Sequence, residues 1–428
     1  MIYVSLTIAL AAGGWASKTI KAHQRHEPVD FIMNDAEGYY IYLPALLIHH
    51  DLDFRKEILH HQYASHLADT KSFLRRDGSS MNRWPIGVAL TVSPAFLLAH
   101  AVSTLVYAHT LDLTYLPDGY TIIYQAFCAT FAMALGLVAM LCADDIIKAR
   151  GISDRCTVAG ILTYVLATNF VYYFAREPLM SHLPGAAWLL VAIWCTDRIV
   201  RCGESLKTYG MLGAFAAAMA LVCRMTNVVD APIAIFLLMS LWKQGRMREI
   251  VPALPRLAIA LLPLLAQAAI WHALNGHAVA ANVQTIGYRP NEGFHWLHPQ
   301  WWRILISSRH GLFFWSPLLL FSFWGLIIGL RRRRDGLVTA WVISALLLYY
   351  LNAAWVYWSF GNSFGAREFV ELGGLFMIGT AMLYEWLGQK GWTTRCVVCG
   401  LMLLCFGYNW IMMALYISQR IPRDGYLW

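Results

Sequence analysis

Charged residues are scarce in this chain of 428 residues: they make up 14% of it, whereas soluble domains contain about 25%. The sequence also lacks an obvious repeat, a low-complexity linker and a stretch polar enough for a separate soluble domain. These absences exclude an ordinary soluble protein, and the 58% of hydrophobic residues predict a polytopic membrane protein. Because lipid offers no partner to backbone amides, the spans must be helices.

Long apolar windows mark the predicted spans. The windows 120–142, 257–274, 311–330 and 397–417 approach or exceed the roughly 20 residues that cross a bilayer as a helix. The first stretch, 2–16, predicts a retained span, with a cleaved signal peptide as the alternative. Most of the nine cysteines lie in or beside such windows, which favours small buried side chains over a disulfide framework or a zinc site.

The Lys and Arg residues indicate which loops share a side of the membrane. They form short clusters between spans, so the net charge of +8 is a topology signal and does not indicate nucleic acid. If the segment 85–106 is a membrane-surface or re-entrant helix, five loops with 16 Lys and Arg become cytoplasmic, against 8 in the opposite short loops. Those five loops are 144–156, 197–208, 243–256, 331–335 and 388–395.

The positive-inside rule favours this arrangement. It predicts an all-α, polytopic membrane bundle of about 11 transmembrane helices, with the amino terminus inside and the carboxyl terminus outside. The chain is then one membrane domain, 1–428, whose long first outer loop, 22–118, carries surface helices. Its polar constellations fall together on the outer face.

Three acids on that face are candidates for chemistry. Asp35 and Glu37, two residues apart, cannot share one helical face, so we expect them in the last extended residues before an interfacial helix that follows Gly38. The alternative is that Asp35 caps that helix and Glu37 is solvated. Glu177 ends a span immediately before Pro178 and, with Asp35 or Glu37, could bind a divalent cation or position a hydroxyl.

Arginines provide the complementary charge. Arg224, Arg309 and Arg367 each stand at the outer end of a span, and Arg binds phosphate with a planar fork of donors. For each arginine alone, a side chain that reaches toward lipid headgroups is the safer interpretation. Together they predict a site for an anionic, lipid-linked substrate. Further substrate-binding candidates are His310, Asn227, Tyr39 and His182, the last of which is also typical of an interfacial histidine.

Several motifs resemble the GT-C superfamily of membrane glycosyltransferases, which take sugars from polyprenyl-phosphate carriers. They are "DAEGYYIYLPALLIHHDLDF", "RWPIG", "EPLMSH", "SSRHGLFFWSPLLL" and "SFGAREF", between residues 31 and 370. The order of a first span, an acidic pair, a long outer loop and a second outer acid is similar to that of protein O-mannosyltransferases and lipid A aminoarabinose transferases. The motifs themselves resemble more closely those of an uncharacterised bacterial group of GT-C-like proteins.

The resemblance implies an inverting sugar transfer at the periplasmic face of the bacterial inner membrane, from a polyprenyl-phosphate-linked donor and without a nucleotide cofactor. It matches Asp35 to the first-loop catalytic acid, with Glu37 as second candidate, and Glu177 to the acid of the second outer loop. A Mg or Mn ion between Asp35 and Glu177 is left open, as is the acceptor: a lipid, a glycan or a protein.

Two other functions compete with this interpretation. A lipid or small-molecule transporter or flippase would place polar residues near the middle of its spans, whereas these charges cluster at one face. A non-catalytic scaffold of a surface-glycan assembly complex would share the membrane architecture and need none of the acids.

Overall fold

The computed structural model describes residues 1–25, 29–33, 35–62, 73–75, 78–279 and 290–423. Within these residues the fold is helical, and β pairing is limited to isolated bridges between Leu74 and Ser80 and between Phe294 and Trp355. The α-helices are α1 (Ile2–Arg25), α2 (Asp35–Tyr40), α3 (Tyr42–Pro44), α4 (Arg55–Gln62), α5 (Gly87–Thr110), α6 (Ile122–Lys148), α7 (Asp154–Ala167), α8 (Phe170–Ala175), α9 (His182–Cys202), α10 (Met211–Cys223), α11 (Ala231–Lys243), α12 (Ile250–Ala260), α13 (Leu262–Asn275), α14 (Arg303–Ile306), α15 (Leu312–Trp315), α16 (Leu319–Arg333), α17 (Gly336–Ala354), α18 (Gly373–Gly388) and α19 (Trp392–Ile417).

Short 3-10 and π turns join several of these helices. The 3-10 turns are Leu113–Tyr115, Met225–Asp230, Met247–Glu249 and Arg367–Leu372. The π turns are Ala45–His49 and Leu206–Gly210.

The prediction of an all-helical membrane bundle is confirmed at this coarse level. Seven helical segments of the described residues are long and apolar enough to cross a membrane, or eight if the bent pair Met247–Ala260 and Leu262–Asn275 is one span. The seven include α5, which the charge pattern predicts as non-crossing. They are Gly87–Thr110, Ile122–Lys148, His182–Cys202, Leu206–Cys223, Met225–Lys243, Gly336–Ala354 and Trp392–Ile417.

Basic loops meet at one end of the bundle. Arg150, in the turn between α6 and α7, lies 3.1 Å from the Asp197 carboxylate near the end of α9. Its Nε lies 2.8 Å from the carboxylate of Asp335, between α16 and α17. Arg333 reaches Glu385 of α18 at 2.5 Å. Ion pairs therefore join the α6–α7 turn to α9 and to the α16–α17 turn, and α16 to α18, at this end.

Helices α1 and α6 run antiparallel, and their contacts identify the opposite end. Tyr3 donates a hydrogen bond of 2.7 Å to Asp144 in the last turns of α6. The backbone amide of Phe31, beyond α1, donates to Gln125 in the first turn of α6, also at 2.7 Å. The segment that follows α1 and the start of α6 therefore lie at the same end of the bundle.

Both flanks of α5 contact α2 at that end. A Cβ added to Gly38 would lie 2.2 Å from the ring of Trp84, which precedes α5. Tyr40 donates a hydrogen bond of 2.6 Å to the carbonyl of Gly119, which follows α5. The chain segments before and after α5 therefore lie at the same end of the bundle, next to α2.

The structure corrects two expectations for the segment around Asp35. The helix begins at Asp35, so both acids lie in its first turn, where negative charge favours the helix dipole, and not in extended residues before it. Residues 36–45 are buried in protein, so Glu37 is not solvated as the alternative expected. The tyrosines drive this burial, because Tyr42 donates to the Trp84 carbonyl at 2.8 Å and Tyr40 to Gly119.

Candidate functional site at the α2 end of the bundle

Asp35 and Arg367 form an ion pair at the end of the bundle that holds α2. The Asp35 carboxylate lies 2.9 Å from Arg367 Nη2, and the two side chains are 30% and 15% exposed. Arg367 begins a 3-10 turn two residues after Gly365, whose φ of +67° favours glycine. A Cβ at Gly365 would also lie 3.0 Å from Trp315, so this tight turn fixes where Arg367 enters the site.

Arg224 lies in a second, deeper cluster of charges. It follows α10, its Nε lies 2.6 Å from Glu371, and its Nη2 contacts the carboxylate of Glu368. Glu368 also lies 3.6 Å from Arg367 Nε, which joins this cluster to the Asp35 pair. Buried charges require such partners because desolvation is costly. Two arginines thus face three carboxylates, and the Arg224 charge is compensated within the protein.

His182, Tyr39 and Asn227 surround Arg224. The structure corrects the interfacial interpretation of His182, since this side chain is 1% exposed and lies 3.1 Å from Arg224 Nη1. Tyr39 accepts a hydrogen bond of 2.9 Å from Ser181, which also contacts Arg224. Asn227 donates through Nδ2 to the carbonyl of Ala220 and so holds the end of α10.

His310 supports the loop that follows Arg309. It is buried, packs against Trp315, and its Nδ1 lies 2.6 Å from the carbonyl oxygen of Ser359. Burial lowers the pKa of His310 to about 4, so the imidazole is neutral and donates through Nδ1. The backbone amide of Arg309 donates a hydrogen bond of 3.0 Å to Ser307 Oγ.

Glu37 is buried beside the site. Its side chain lies inside the packed segment 36–45, and burial raises the pKa of Glu37 to about 9, with a further contribution from Asp30. A carboxyl group with such a pKa keeps its proton at neutral pH. Glu37 is therefore unsuited to accept a proton there, although it can donate one.

Glu177 lines a separate, strongly basic cavity. It accepts a hydrogen bond of 2.8 Å from Tyr172, and the cavity beside it is lined by the cations Lys18, Lys21, Arg176 and Arg423. Arg367 interacts electrostatically with both Asp35 and Glu177, so the cavity and the ion pair are neighbours.

A divalent cation has few ligands in the described part of the site. No group of three or more His, Cys, Asp or Glu side chains converges there, and the Asp35 carboxylate faces Arg367. Mg²⁺ and Mn²⁺ favour several oxygen ligands. We therefore assign no step to a metal, and an ion between Asp35 and Glu177 stays a prediction.

Known proteins offer no direct guide to this site. No protein-family model matches the chain, and no curated protein or solved structure matches it. The resemblance to the GT-C superfamily therefore stays a prediction from the motifs, and the roles of individual residues rest on their geometry.

Sequence reasoning missed Glu368, Glu371 and the basic cavity. The two glutamates stand three residues apart in "REFVEL", directly before α18, and that spacing was the available signal. Lys18 and Lys21 are likewise three residues apart near the end of α1, where they look like an ordinary basic flank of a first span.

Proposed function

We propose that this protein is an inverting glycosyltransferase that moves a sugar from a polyprenyl-phosphate-linked donor to a lipid, glycan or protein acceptor. The proposal places it in the bacterial inner membrane, with its site facing the periplasm. The observation that carries it is the Asp35–Arg367 pair, partly exposed at the end of an apolar bundle.

The topology we propose has 11 crossings: α1, α6, α7 with α8, α9, α10, α11, α12 with α13, α16, α17, α18 and α19. In this arrangement α5 does not cross. Two contacts support it: the segment after α1 bonds to the first turn of α6, and both flanks of α5 touch α2. A crossing by α5 alone would separate these partners by the thickness of the membrane. The basic loops at the other end are then cytoplasmic.

Asp35 is the general base in the proposed mechanism. The acceptor hydroxyl gives its proton to Asp35 while its oxygen bonds to the anomeric carbon, and the bond from that carbon to the phosphate oxygen breaks with its electron pair leaving on the phosphate. Glu37 is the weaker candidate, since burial raises the pKa of Glu37 to about 9. General-base assistance is worth roughly 10²–10⁴ in rate.

Arg367 links the two charge changes of this step. Before transfer its guanidinium lies 2.9 Å from the Asp35 carboxylate, which neutralises it. Once Asp35 holds the proton, the Arg367 charge is no longer balanced by that partner, at the moment when negative charge develops on the leaving phosphate. A guanidinium speeds the reaction most when it stabilises negative charge that is present only in the transition state.

A large apolar cavity supports a lipid-linked substrate. It has a volume of about 570 Å³ and lies between α5, α6, α9, α10 and α13. Its lining includes Leu90, Pro94, Phe131, Trp188, Phe215 and Met219. Thr91, which also lines it, lies 3.8 Å from Cys223, directly before Arg224, so the cavity ends close to the charged cluster. A hydrocarbon chain suits such a lining.

The decisive experiment pairs two aspartates of the first outer loop. The full-length protein is reconstituted with a lipid extract. Mass spectrometry then measures how much polyprenyl-phosphate-linked sugar copurifies with the protein and how much is consumed. We expect Asp35→Asn to slow consumption by at least about 10²-fold and still bind the lipid. Asp51→Asn is the matched control, because Asp51 is also ion-paired, to Lys56 at 3.0 Å, but lies outside the cluster.

Two results would replace the proposal. Movement of labelled lipid across liposomes with the donor left intact, for every acceptor tried, indicates a flippase or transporter. Unchanged glycoconjugates in cells that express Asp35→Asn, Glu37→Gln and Glu177→Gln at normal levels indicate a scaffold.

A further inference from the structure

A cluster of aromatic rings lies at the carboxyl end of α17, a helix that begins beside the ion pair of Arg150 and Asp335 at the opposite end of the bundle. Adjacent rings of this cluster have centroid separations of 4.5 to 5.8 Å. The rings are those of Phe294, Trp296, Trp301, Tyr349, Tyr350 and Trp355. Aromatic side chains therefore pack the segment 294–306 onto the end of α17.

Hydrogen bonds also hold this segment on α17. The backbone amides of His295 and Gln300 donate to the last two carbonyls of the helix, at 2.6 and 2.7 Å. The last carbonyls of a helix have no partners within it, so these bonds replace water. The hydroxyls of Tyr349 and Tyr350 donate to backbone carbonyls of the segment, each at 2.8 Å. Because these polar groups satisfy each other, this part of the chain can lie where little water is present.

Large apolar side chains cover the outward surface of the segment. Leu297 and Trp302 are 88% and 74% exposed, and Trp296, Trp301 and Ile306 are exposed as well. Five such side chains within eleven residues form the kind of exposed patch that marks an interaction surface.

The apolar surface continues along α17. Ile343, Leu346 and Leu347 are exposed, and their spacing places them on one face of the helix. Tyr350 follows at the same spacing and packs against the rings of the segment 294–306. Since α17 is long and apolar enough to cross a membrane, an exposed apolar face of it suits contact with lipid chains. The aromatic cluster stands where this face ends.

We propose that the segment 294–306 is an anchor in the lipid–water interface, with Leu297, Trp302 and Ile306 inserted among the acyl chains of bulk phospholipids. Tryptophan and tyrosine side chains are enriched at this depth, because their rings are apolar and their polar atoms reach water. Arg303, exposed beside Trp302, suits the phosphate of a headgroup. The anchor continues the lipid-facing side of α17 and needs no separate partner.

The contacts disfavour a carbohydrate surface, the other common use of exposed aromatic rings. A sugar needs free ring faces and polar groups placed for its hydroxyls. Phe294 already covers one face of Trp296, at 4.5 Å and 14° between the ring planes. The hydroxyls of Tyr349 and Tyr350 are used on backbone carbonyls. Leu297, the most exposed apolar side chain of the segment, offers a sugar no hydrogen bond.

Spin labels measure the depth of this segment in full-length protein. The exposed cysteines Cys202, Cys396 and Cys399 are first replaced by serine. Leu297→Cys or Trp302→Cys is then added, labelled, and reconstituted in vesicles of phosphatidylethanolamine and phosphatidylglycerol. Power saturation compares collisions with oxygen, which concentrates in lipid, with collisions with a water-soluble nickel chelate. We expect both labels to lie roughly 5–10 Å below the headgroup boundary.

Arg55→Cys is the control for these labels. Arg55, on α4, is also exposed at the α2 end, where the adjacent Phe54 packs against Tyr42, but its charge predicts contact with water. Nickel access at positions 297 and 302 equal to that at position 55 would overturn the anchor. If soluble oligosaccharides also changed the tryptophan fluorescence of that protein, the surface would be assigned to carbohydrate instead. Matching thermal unfolding of the labelled variants excludes misfolding as the cause.

A second measurement needs no label. Phospholipids brominated on their acyl chains quench nearby tryptophans, so the emission lost in such vesicles should be smaller for Trp302→Phe than for the unaltered protein. Equal losses would contradict the insertion of Trp302. Neither measurement involves sugar transfer, so the anchor and the enzymatic proposal can fail separately.

Discussion

Two adjacent glycines on α1 should respond oppositely to alanine. A Cβ at Gly14 would lie 2.0 Å from the backbone carbonyl oxygen of Ala175, at the end of α8, whereas a Cβ at Gly13 meets nothing within 4 Å. Carbon–oxygen contacts normally lie at about 3.3 Å, so Gly14→Ala forces α1 to retreat by roughly 1 Å. Overpacking of this kind costs about 1–3 kcal/mol. Both substitutions gain up to about 1 kcal/mol of helix propensity.

The two variants should therefore differ by about 2 kcal/mol, with Gly13→Ala neutral or stabilised and Gly14→Ala destabilised. Thermal unfolding in one detergent, followed by tryptophan fluorescence, measures the difference. Identical unfolding temperatures for the pair would refute the close approach of α1 to α8.

Three further predictions concern the site and the core. Burial raises the pKa of Glu37 to about 9, so the folded state keeps a proton that an unfolded carboxyl loses near pH 4.5. The free energy of unfolding should therefore fall as the pH rises between these two values, by up to about 1.4 kcal/mol per pH unit. Glu37→Gln should flatten that dependence, being more stable than the unaltered protein at pH 8 and similar at pH 4; parallel unfolding curves would contradict this. A Cβ at Gly379 would lie 2.3 Å from a backbone carbonyl of α16, whereas Gly388 has open space, so Gly379→Ala should lower the unfolding temperature and Gly388→Ala should not. A double-mutant cycle of Asp35→Asn and Arg367→Gln, read by thermal unfolding, should give a coupling of about 1 kcal/mol, since the pair is partly exposed; strictly additive effects would mean that the two charges do not interact.

The helical bundle was predictable because apolar windows of span length have few alternatives. The segment around Asp35 was predictable only in part. Its apolar pattern indicated a helix but not its start, and it could not show whether lipid or protein covers the tyrosines. Their partners, the carbonyls of Gly119 and Trp84, lie 79 and 42 residues away.

The ion pairs of the site were also only partly predictable from the sequence. Arg224 and Arg367 were recognisable as unusual residues at the ends of spans, yet nothing local indicated which carboxylates they face. Glu371 lies in an apolar run and pairs with Arg224 across about 150 residues of chain. Pairing of this kind depends on tertiary packing, so a sequence pattern can identify the charged residues without showing that they neutralise each other.

The contact between Phe31 and Gln125 has a consequence for synthesis. These partners are 94 residues apart, so α1 leaves the ribosome well before α6, one of the helices against which it packs. At about 5–20 residues per second, that interval lasts roughly 5 to 20 s. During it the acids of α2 and the lysines of α1 have no finished scaffold, and membrane chaperones or proteases can act on them. The maturation of the segment that follows α1 thus depends on the pace of translation.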